Sequence, residues 1–161
     1  MSPLRALSLL PLALAAPAAA QQALGVFGLW AAFRADSRCY AIAEPYQPPR
    51  PGDGRAYASI GYWPERAVRG QVFIRLSRAK RAGSAVLLRI DERTFQLRGG
   101  GGDAWAPDAA ADAGIVSAMR TGIDMTVETR AAGGALIRDA YRLRGAATAI
   151  DAAAIACARR R

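Results

Sequence analysis

Hydrophobic and polar residues alternate along much of the chain after residue 38, as they do in strands that bury one face. The alternation is clearest at residues 70–77, with the sequence GQVFIRLS, and at residues 123–128, with the sequence IDMTVE. Proline or glycine follows several of these segments, which is typical of short strands joined by turns. The predicted strands cover residues 24–33, 39–44, 55–63, 70–77, 84–90, 94–97, 123–128 and 137–143.

Two other segments repeat their hydrophobic residues at helical spacing. Residues 109–119 follow Asp108, a good N-cap, and precede Gly122, a residue type that ends helices. The second segment begins after Gly145, and its hydrophobic stripe consists of Ile150, Ala153, Ala154 and Cys157. The sequence therefore predicts a mainly β fold, a single-domain sandwich or open barrel of about seven to eight short strands with a mid-chain helix and a C-terminal helix.

Two segments are too rich in proline or glycine to form regular elements. Residues 45–54, with the sequence PYQPPRPGDG, contain four of the nine prolines and are predicted to form a surface loop. Residues 99–102 are four consecutive glycines. A phosphate-binding loop would add a lysine followed by serine or threonine, and neither is present here, so we predict a flexible loop.

Residues 1–20 have the organisation of a secretory signal peptide. Arg5 supplies the positive start, residues 6–16 (ALSLLPLALAA) form an apolar core, and three alanines give the pattern read by signal peptidase. A transmembrane helix needs about 20 apolar residues, and prolines interrupt this run. We therefore expect cleavage after Ala20, a single β-rich domain over residues 21–161, and a periplasmic or secreted product without a transmembrane segment in the mature chain.

The chain is strongly basic, with 22 Lys and Arg against 13 Asp and Glu and a formal net charge of +9. Nearly all of this charge is arginine, which suits phosphate or carboxylate partners. The codon bias of a GC-rich genome is sufficient to explain the same composition. Net charge bears on solubility and non-specific binding rather than on fold. Residues 77–83 form a compact basic cluster, which we interpret as a hairpin loop. The residues predicted to contact polyanions or anionic surfaces weakly, without specific nucleic-acid recognition, are Arg78, Lys80, Arg81, Arg159, Arg160 and Arg161.

The sequence contains no histidine, which excludes Ser-His-Asp and Cys-His catalytic arrangements and His-ligated metal sites. Two cysteines are too few for a tetrathiolate zinc site. We therefore predict no catalytic residue, no metal and no cofactor. The expected partner is a protein or an envelope component.

An alternative is a periplasmic enzyme or enzyme inhibitor that uses acidic residues, with Asp91, Asp124 and Asp139 as candidates. Asp91 lies where a turn is predicted, so a turn role is favoured for it. Asp139 is the one polar residue on the otherwise apolar face of its strand. This position favours a structural role, in which Asp139 binds backbone groups or an arginine.

Cys39 and Cys157 are the two cysteines of the chain. Export would place them where disulfides persist, and two cysteines allow one intramolecular pair. Their disulfide would lock the two ends of the domain together. The alternative is a pair of buried free thiols that pack as small apolar residues.

Three segments and two single residues have the spacing of one known family. The segments are residues 86–97 (VLLRIDERTFQL), 115–128 (IVSAMRTGIDMTVE) and 139–157 (DAYRLRGAATAIDAAAIAC). Together with Trp30 and Cys39, they resemble the invasion-associated locus B family of exported alphaproteobacterial proteins. The chain departs from the family between Phe95 and Asp108, where many members carry further cysteines, so a second disulfide is not available.

The resemblance implies a periplasmic or cell-surface location and a link to host-cell invasion. It implies no enzymatic activity and no catalytic residues. The leading hypothesis is therefore a non-catalytic binding protein that contacts the bacterial envelope or a host.

Overall fold

The computed structural model describes residues 21–158, and its strands alternate buried and exposed side chains as the sequence predicts. Cys39, Ala41 and Ala43 are buried, for example, while Tyr40 and Ile42 between them are partly exposed. The same alternation runs through most of the other strands, and their buried faces form one hydrophobic core. The mainly β fold class is confirmed. The predicted signal peptide, residues 1–20, lies outside the described residues.

Within residues 21–158, ten antiparallel strands form a single sheet. The strands are β1 (Gln22–Phe27), β2 (Trp30–Arg34), β3 (Cys39–Ala43), β4 (Tyr57–Trp63), β5 (Val68–Arg75), β6 (Val86–Ile90), β7 (Arg93–Gly100), β8 (Asp103–Trp105), β9 (Asp124–Arg130) and β10 (Leu136–Arg142). Their order in the sheet is β1-β2-β3-β4-β5-β8-β7-β6-β9-β10. A short 3-10 turn, Pro64–Arg66, connects β4 to β5.

The predicted number of seven to eight strands is too low for two reasons. Residues 24–33 form two strands rather than one, because the chain turns at Gly28 and Leu29 and β1 pairs with β2. The three-residue strand β8 was missed, because three residues are too few to show alternation.

The four glycines at residues 99–102 do not form the predicted flexible loop. Gly99 and Gly100 belong to β7, and the next two make the turn into β8. A Cβ atom on Gly99 would lie 2.8 Å from the carbonyl oxygen of Asp103. Glycine therefore permits the close approach of the two strands at this point.

Both predicted helices are confirmed. Helix α1 covers Ala109–Thr121 and helix α2 covers Ala146–Ala158. Asp108 caps α1, since its side chain accepts a hydrogen bond of 2.8 Å from the backbone N–H of Ala111. Gly122 follows the last turn of α1, as the sequence indicates.

The sheet curls so that its two ends approach each other, although β1 and β10 do not pair. The backbone N–H of Leu29 donates to the carbonyl oxygen of Arg144 at 3.1 Å. The indole N–H of Trp30 donates to the carbonyl oxygen of Arg142 at 3.0 Å. Helix α2 packs against β1 to β4 at this end of the sheet, and α1 packs against β5 and β7.

Cys39, at the start of β3, and Cys157, near the end of α2, form the predicted disulfide across 118 residues of sequence. Both cysteines are buried. The bridge therefore fastens the C-terminal helix to the sheet. Neither helix in residues 21–158 has the length and apolar character needed to cross a membrane.

Candidate functional site: a cleft beneath the proline-rich loop

A cleft of about 810 Å³ lies between residues 45–54, which we call the proline-rich loop, and the outer strand β10. The loop joins β3 to β4, which are neighbours in the sheet, and also reaches β10. There the backbone N–H of Tyr46 donates to the carbonyl oxygen of Ala140 at 3.0 Å. Residues 136–139 and the Ser77–Arg78 pair complete the walls of the cleft.

Asp139 is the buried acidic residue of the cleft and is 5% exposed. Its Oδ2 atom accepts a hydrogen bond of 2.9 Å from the backbone N–H of Ser77. Burial raises the pKa of Asp139, because the charged carboxylate is poorly solvated there, and hydrogen bonds from Ser77 offset part of this rise. The predicted role of Asp139 as a partner of backbone groups is confirmed.

Asp53, in the proline-rich loop, is a second carboxylate in the same cleft. Its Oδ2 atom accepts a hydrogen bond of 2.7 Å from the backbone N–H of Arg50, and Arg78 Nε pairs with its Oδ1 atom at 2.5 Å. The hydrogen bond from Arg50, followed by the contacts with Arg78, lowers the pKa of Asp53. The cleft thus holds one carboxyl group whose charge is disfavoured and one whose charge is favoured.

Three exposed arginines surround the opening of the cleft: Arg50, Arg55 and Arg138. Arg55 Nε pairs with Glu44 at 2.6 Å, and Arg138 Nε lies 3.4 Å from Glu128. Ion pairs this exposed contribute about 0–1 kcal/mol. These guanidinium groups can therefore exchange their present partners for an anionic group of a ligand at little cost.

Three of the residues predicted to contact anions are described by the structure, and two of them, Arg78 and Lys80, already have partners within the protein. Arg78 is turned into the cleft, where it pairs with Asp53 and also donates to the carbonyl oxygen of Pro51. Lys80 Nζ donates to the carbonyl oxygen of Arg81. Arg81 itself is exposed, whereas Arg78 and Lys80 are partly buried. The other three residues lie outside the described residues: Arg159, Arg160 and Arg161.

The interpretation of residues 77–83 as a hairpin loop is wrong. This segment connects β5 to β6, and three pairings, β5–β8, β8–β7 and β7–β6, separate those strands in the sheet. Its backbone instead contacts the turn after β9, where Lys80 and Ala131 form an isolated bridge. The segment therefore spans part of the sheet rather than closing two adjacent strands.

Asp91 and Asp124, the other acidic candidates, lie together at a turn away from the cleft lining. The Asp91 carboxylate accepts hydrogen bonds from the backbone N–H groups of Ile123 and Asp124, both at 3.1 Å. Asp124 in turn accepts bonds of 2.6 and 2.8 Å from Arg142 Nη1. Asp91 has a φ of 47°, a left-handed conformation that Asp tolerates in turns. The Asp91 carboxylate thus stabilises the junction between the β6–β7 turn and β9, whereas the Asp124 carboxylate links β9 to β10.

The arrangement favours the recognition of polar and anionic groups. Guanidinium groups bind carboxylates and phosphates with paired hydrogen bonds. The protonated form of Asp139 can donate a single hydrogen bond. Across residues 21–158, no group of three or more Asp, Glu or Cys side chains is placed to hold a metal ion.

Sequence reasoning missed that Asp53 and Asp139 line one cleft and that arginines lie at its opening. The density of prolines at residues 45–54 was the available signal, because it marks a stiff loop. The sequence does not indicate which strand such a loop reaches, since that depends on the curl of the whole sheet.

The fold is similar to that of invasion associated protein B from Bartonella henselae, seen in its crystal structure. The two structures superpose with a TM-score of 0.55 at 16% sequence identity, over 79% of this chain and 92% of that one. At this identity the likeness shows a shared fold. The sequence matches no protein-family model and no curated protein.

Proposed function

We propose that this chain is an exported, non-catalytic binding protein of the periplasm or cell surface, and that its ligand site is the cleft beneath the proline-rich loop. The partner is a protein or another component of the envelope or of a host surface. The observation that carries the proposal is the set of exposed arginines around an open cleft with a stiff roof. Such a site presents charge and hydrogen-bonding groups to a ligand without large rearrangement.

Three further observations support this function. A buried disulfide is typical of proteins that work outside the cytoplasm. The N-terminal sequence has the features of a signal peptide. The fold is shared with an invasion-associated protein, which agrees with a role in contacts of the bacterial surface.

Site-specific photo-crosslinking tests the cleft as the ligand site. A benzoylphenylalanine at Gln47, which lines the cleft, is compared with one at Gln96, an exposed glutamine on β7 outside the cleft lining. In cells of the producing organism, we expect the photo-crosslinker at position 47 to form discrete adducts with a partner. The photo-crosslinker at position 96 should form none of these adducts. The double change Arg50→Glu and Arg55→Glu should remove the adducts. Equal labelling from both positions would contradict the proposal.

Export is tested separately by mass spectrometry of the envelope fraction. The expected N-terminus is Gln21, produced by cleavage after Ala20. A cytosolic protein that retains Met1 would refute the proposed location.

Acid–base catalysis is a second candidate function, because Asp139 and Asp53 line one cleft and their pKa values are shifted in opposite directions. In glycoside hydrolysis one carboxyl group acts as the acid and a second one works in its ionised form. In this alternative, Asp139 would protonate the leaving-group oxygen.

Chromogenic nitrophenyl glycosides test this alternative. If this alternative holds, turnover is measurable and falls at least 100-fold in both Asp139→Asn and Asp53→Asn, as is usual for loss of an acid–base group. Turnover by the unmodified protein that does not exceed that of the two variants would exclude this reaction.

A further inference from the structure

Strand β10 is the last strand of the sheet, and part of its outer edge is already hydrogen bonded. The carbonyl oxygen of Ala140 accepts from Tyr46, and the carbonyl oxygen of Arg142 accepts from the Trp30 indole. These contacts show that the backbone groups of residues 140 and 142 point away from β9. Leu143 points the other way, since its N–H donates to the carbonyl oxygen of Ile123 in the segment leading into β9.

The same alternation makes Arg138 present its backbone N–H and C=O outwards, because alternate residues of a strand share one direction. Arg138 pairs opposite Glu128 in the register with β9, two residues from the Ala140–Thr126 pair. Both Leu136 and Arg138 are exposed and line the cleft. Among the hydrogen bonds of residues 21–158, none reaches the outward backbone groups of Arg138.

The composition of the proline-rich loop explains why the loop does not cover this edge. Its four prolines are Pro45, Pro48, Pro49 and Pro51. Proline has no backbone N–H and cannot donate to a strand ladder. Tyr46 makes the bond to β10, and beyond it the loop stands apart and forms the opposite wall of the cleft. The edge at residues 136–138 is therefore open towards a space bounded by prolines.

The charge beside this open edge selects the kind of segment that can occupy it. The exposed cations at the opening are Arg50, Arg55 and Arg138. The carboxylates that line the cleft are held in contacts within the protein: Glu44 pairs with Arg55, and Asp53 and Asp139 accept backbone hydrogen bonds. A strand that carried lysine or arginine would meet like charge. A strand with glutamate or aspartate would gain charge-assisted hydrogen bonds.

We propose that an extended acidic peptide segment of a partner protein binds in the cleft by adding a short strand to the edge of β10 at residues 136–138. Its backbone pairs with the outward N–H and C=O of Arg138, as in other cases of strand addition to a free sheet edge. Its acidic side chains contact the arginines at the opening. This inference rests on the proposed function of the cleft as a ligand site and names the chemistry of the ligand.

Fluorescence anisotropy with synthetic peptides tests the backbone pairing. The probe is a labelled seven-residue peptide of alternating valine and glutamate, with a second peptide in which lysine replaces glutamate. Two further acidic peptides carry N-methyl groups on one or the other alternating set of amides. We expect the acidic probe to bind at least 10-fold more tightly than the lysine peptide. One methylated peptide should bind at least 10-fold more weakly than the other, because a strand offers only one of its edges to β10.

Variants of the protein separate the contribution of the backbone from that of the charge. Arg138→Ala removes the guanidinium but keeps the outward N–H, whereas Arg138→Pro removes both. Proline is tolerated on edge strands where the N–H faces outwards. We expect Arg138→Pro to weaken peptide binding at least 5-fold beyond Arg138→Ala. Arg66→Glu, an exposed change outside the cleft lining, should leave binding unchanged. If Arg138→Pro does not fold, the methylated peptides decide the question.

The outcomes distinguish this inference from the proposed function. Equal binding of both methylated peptides, or no binding of the acidic probe, overturns strand addition even if the crosslinks from Gln47 persist. In that case the cleft remains a ligand site of different chemistry. Loss of the crosslinks together with the absence of peptide binding removes both proposals.

Discussion

The backbone N–H of Ser77, just beyond β5, donates a hydrogen bond of 2.9 Å to the carboxyl group of Asp139 on β10. Four strands separate β5 from β10 in the order of the sheet. This contact therefore joins two parts of the molecule that become neighbours only because the sheet curls. It also fixes the inner wall of the cleft.

Substitution of Asp139 should separate its hydrogen bond from its charge. Asp139→Asn keeps an oxygen acceptor for Ser77 and removes a carboxyl group whose charged form is disfavoured by burial, so we expect it to be as stable as the unmodified protein, or more stable, at pH 7. Asp139→Ala leaves the Ser77 N–H without this acceptor and should cost about 1–3 kcal/mol. Urea unfolding measures both variants.

The pH dependence of this effect follows from the direction of the pKa shift. The pKa of Asp139 is raised on folding. The group therefore stabilises the folded state at pH values below its unfolded pKa of about 3.9. This stabilisation is lost as the pH rises from the unfolded pKa through the folded pKa. The stability of Asp139→Asn relative to the unmodified protein should increase across that interval and then stay constant. Asp108→Asn, which retains an N-cap for α1, is the control. A difference that shrinks with rising pH would contradict the assignment.

Gly145 is predicted to be irreplaceable at the start of α2. Its φ is +94°, and a Cβ atom there would lie 1.7 Å from the carbonyl oxygen of Phe27. Gly145→Ala should destabilise the protein by about 3 kcal/mol or more, because it combines backbone strain with a clash against backbone. Gly133→Ala is the matched control, since no heavy atom lies within 4 Å of its Cβ position, and should change stability by about 0.5 kcal/mol or less. Equal unfolding midpoints in urea for the two variants would rule out this role for Gly145.

Local patterns in the sequence predicted most of the elements but not their arrangement. The period-two alternation at residues 123–128 marks β9, and Asp108 marks the start of α1, because both signals depend on residues close in sequence. The pairing of β5 with β8 rather than β6 leaves no such local signal. It depends on how distant segments share one core.

The candidate site was less predictable than the fold for the same reason. Asp139 was recognisable as a polar residue on an apolar face, but its partner Ser77 and its neighbour Asp53 come from distant loops. The proline-rich loop was recognisable as a loop, whereas its contact with Ala140 on β10 was not. The cleft exists only where these segments meet.

Weak binding to polyanions should depend more on the C-terminal arginines than on Arg78. Arg78 is already paired with Asp53, and its removal takes away one positive charge, whereas a change of the three C-terminal arginines takes away three. We expect the triple change Arg159→Ser, Arg160→Ser and Arg161→Ser to lower the salt concentration that elutes the protein from heparin. Arg78→Ser should lower it by a smaller amount. Exposed charges are screened within about 10 Å at 0.1 M salt, so retention that does not respond to salt would count against this prediction.

Loss of the Cys39–Cys157 disulfide should lower the stability of the whole domain. The bridge spans 118 residues of sequence, and the chain-entropy model gives about 4.7 kcal/mol for a loop near 100 residues, as an upper figure. Because 1 kcal/mol corresponds to about 2–4 °C for a domain of this size, removal of the bridge should lower the melting temperature by roughly 10 °C. Calorimetry of the purified protein with and without reductant measures this change. In the double variant Cys39→Ala and Cys157→Ala, reductant should have no effect, which controls for its other actions. A folded monomer that carries two alkylated cysteines after non-reducing purification, or a melting temperature insensitive to reductant, would show that the bridge does not stabilise the native protein.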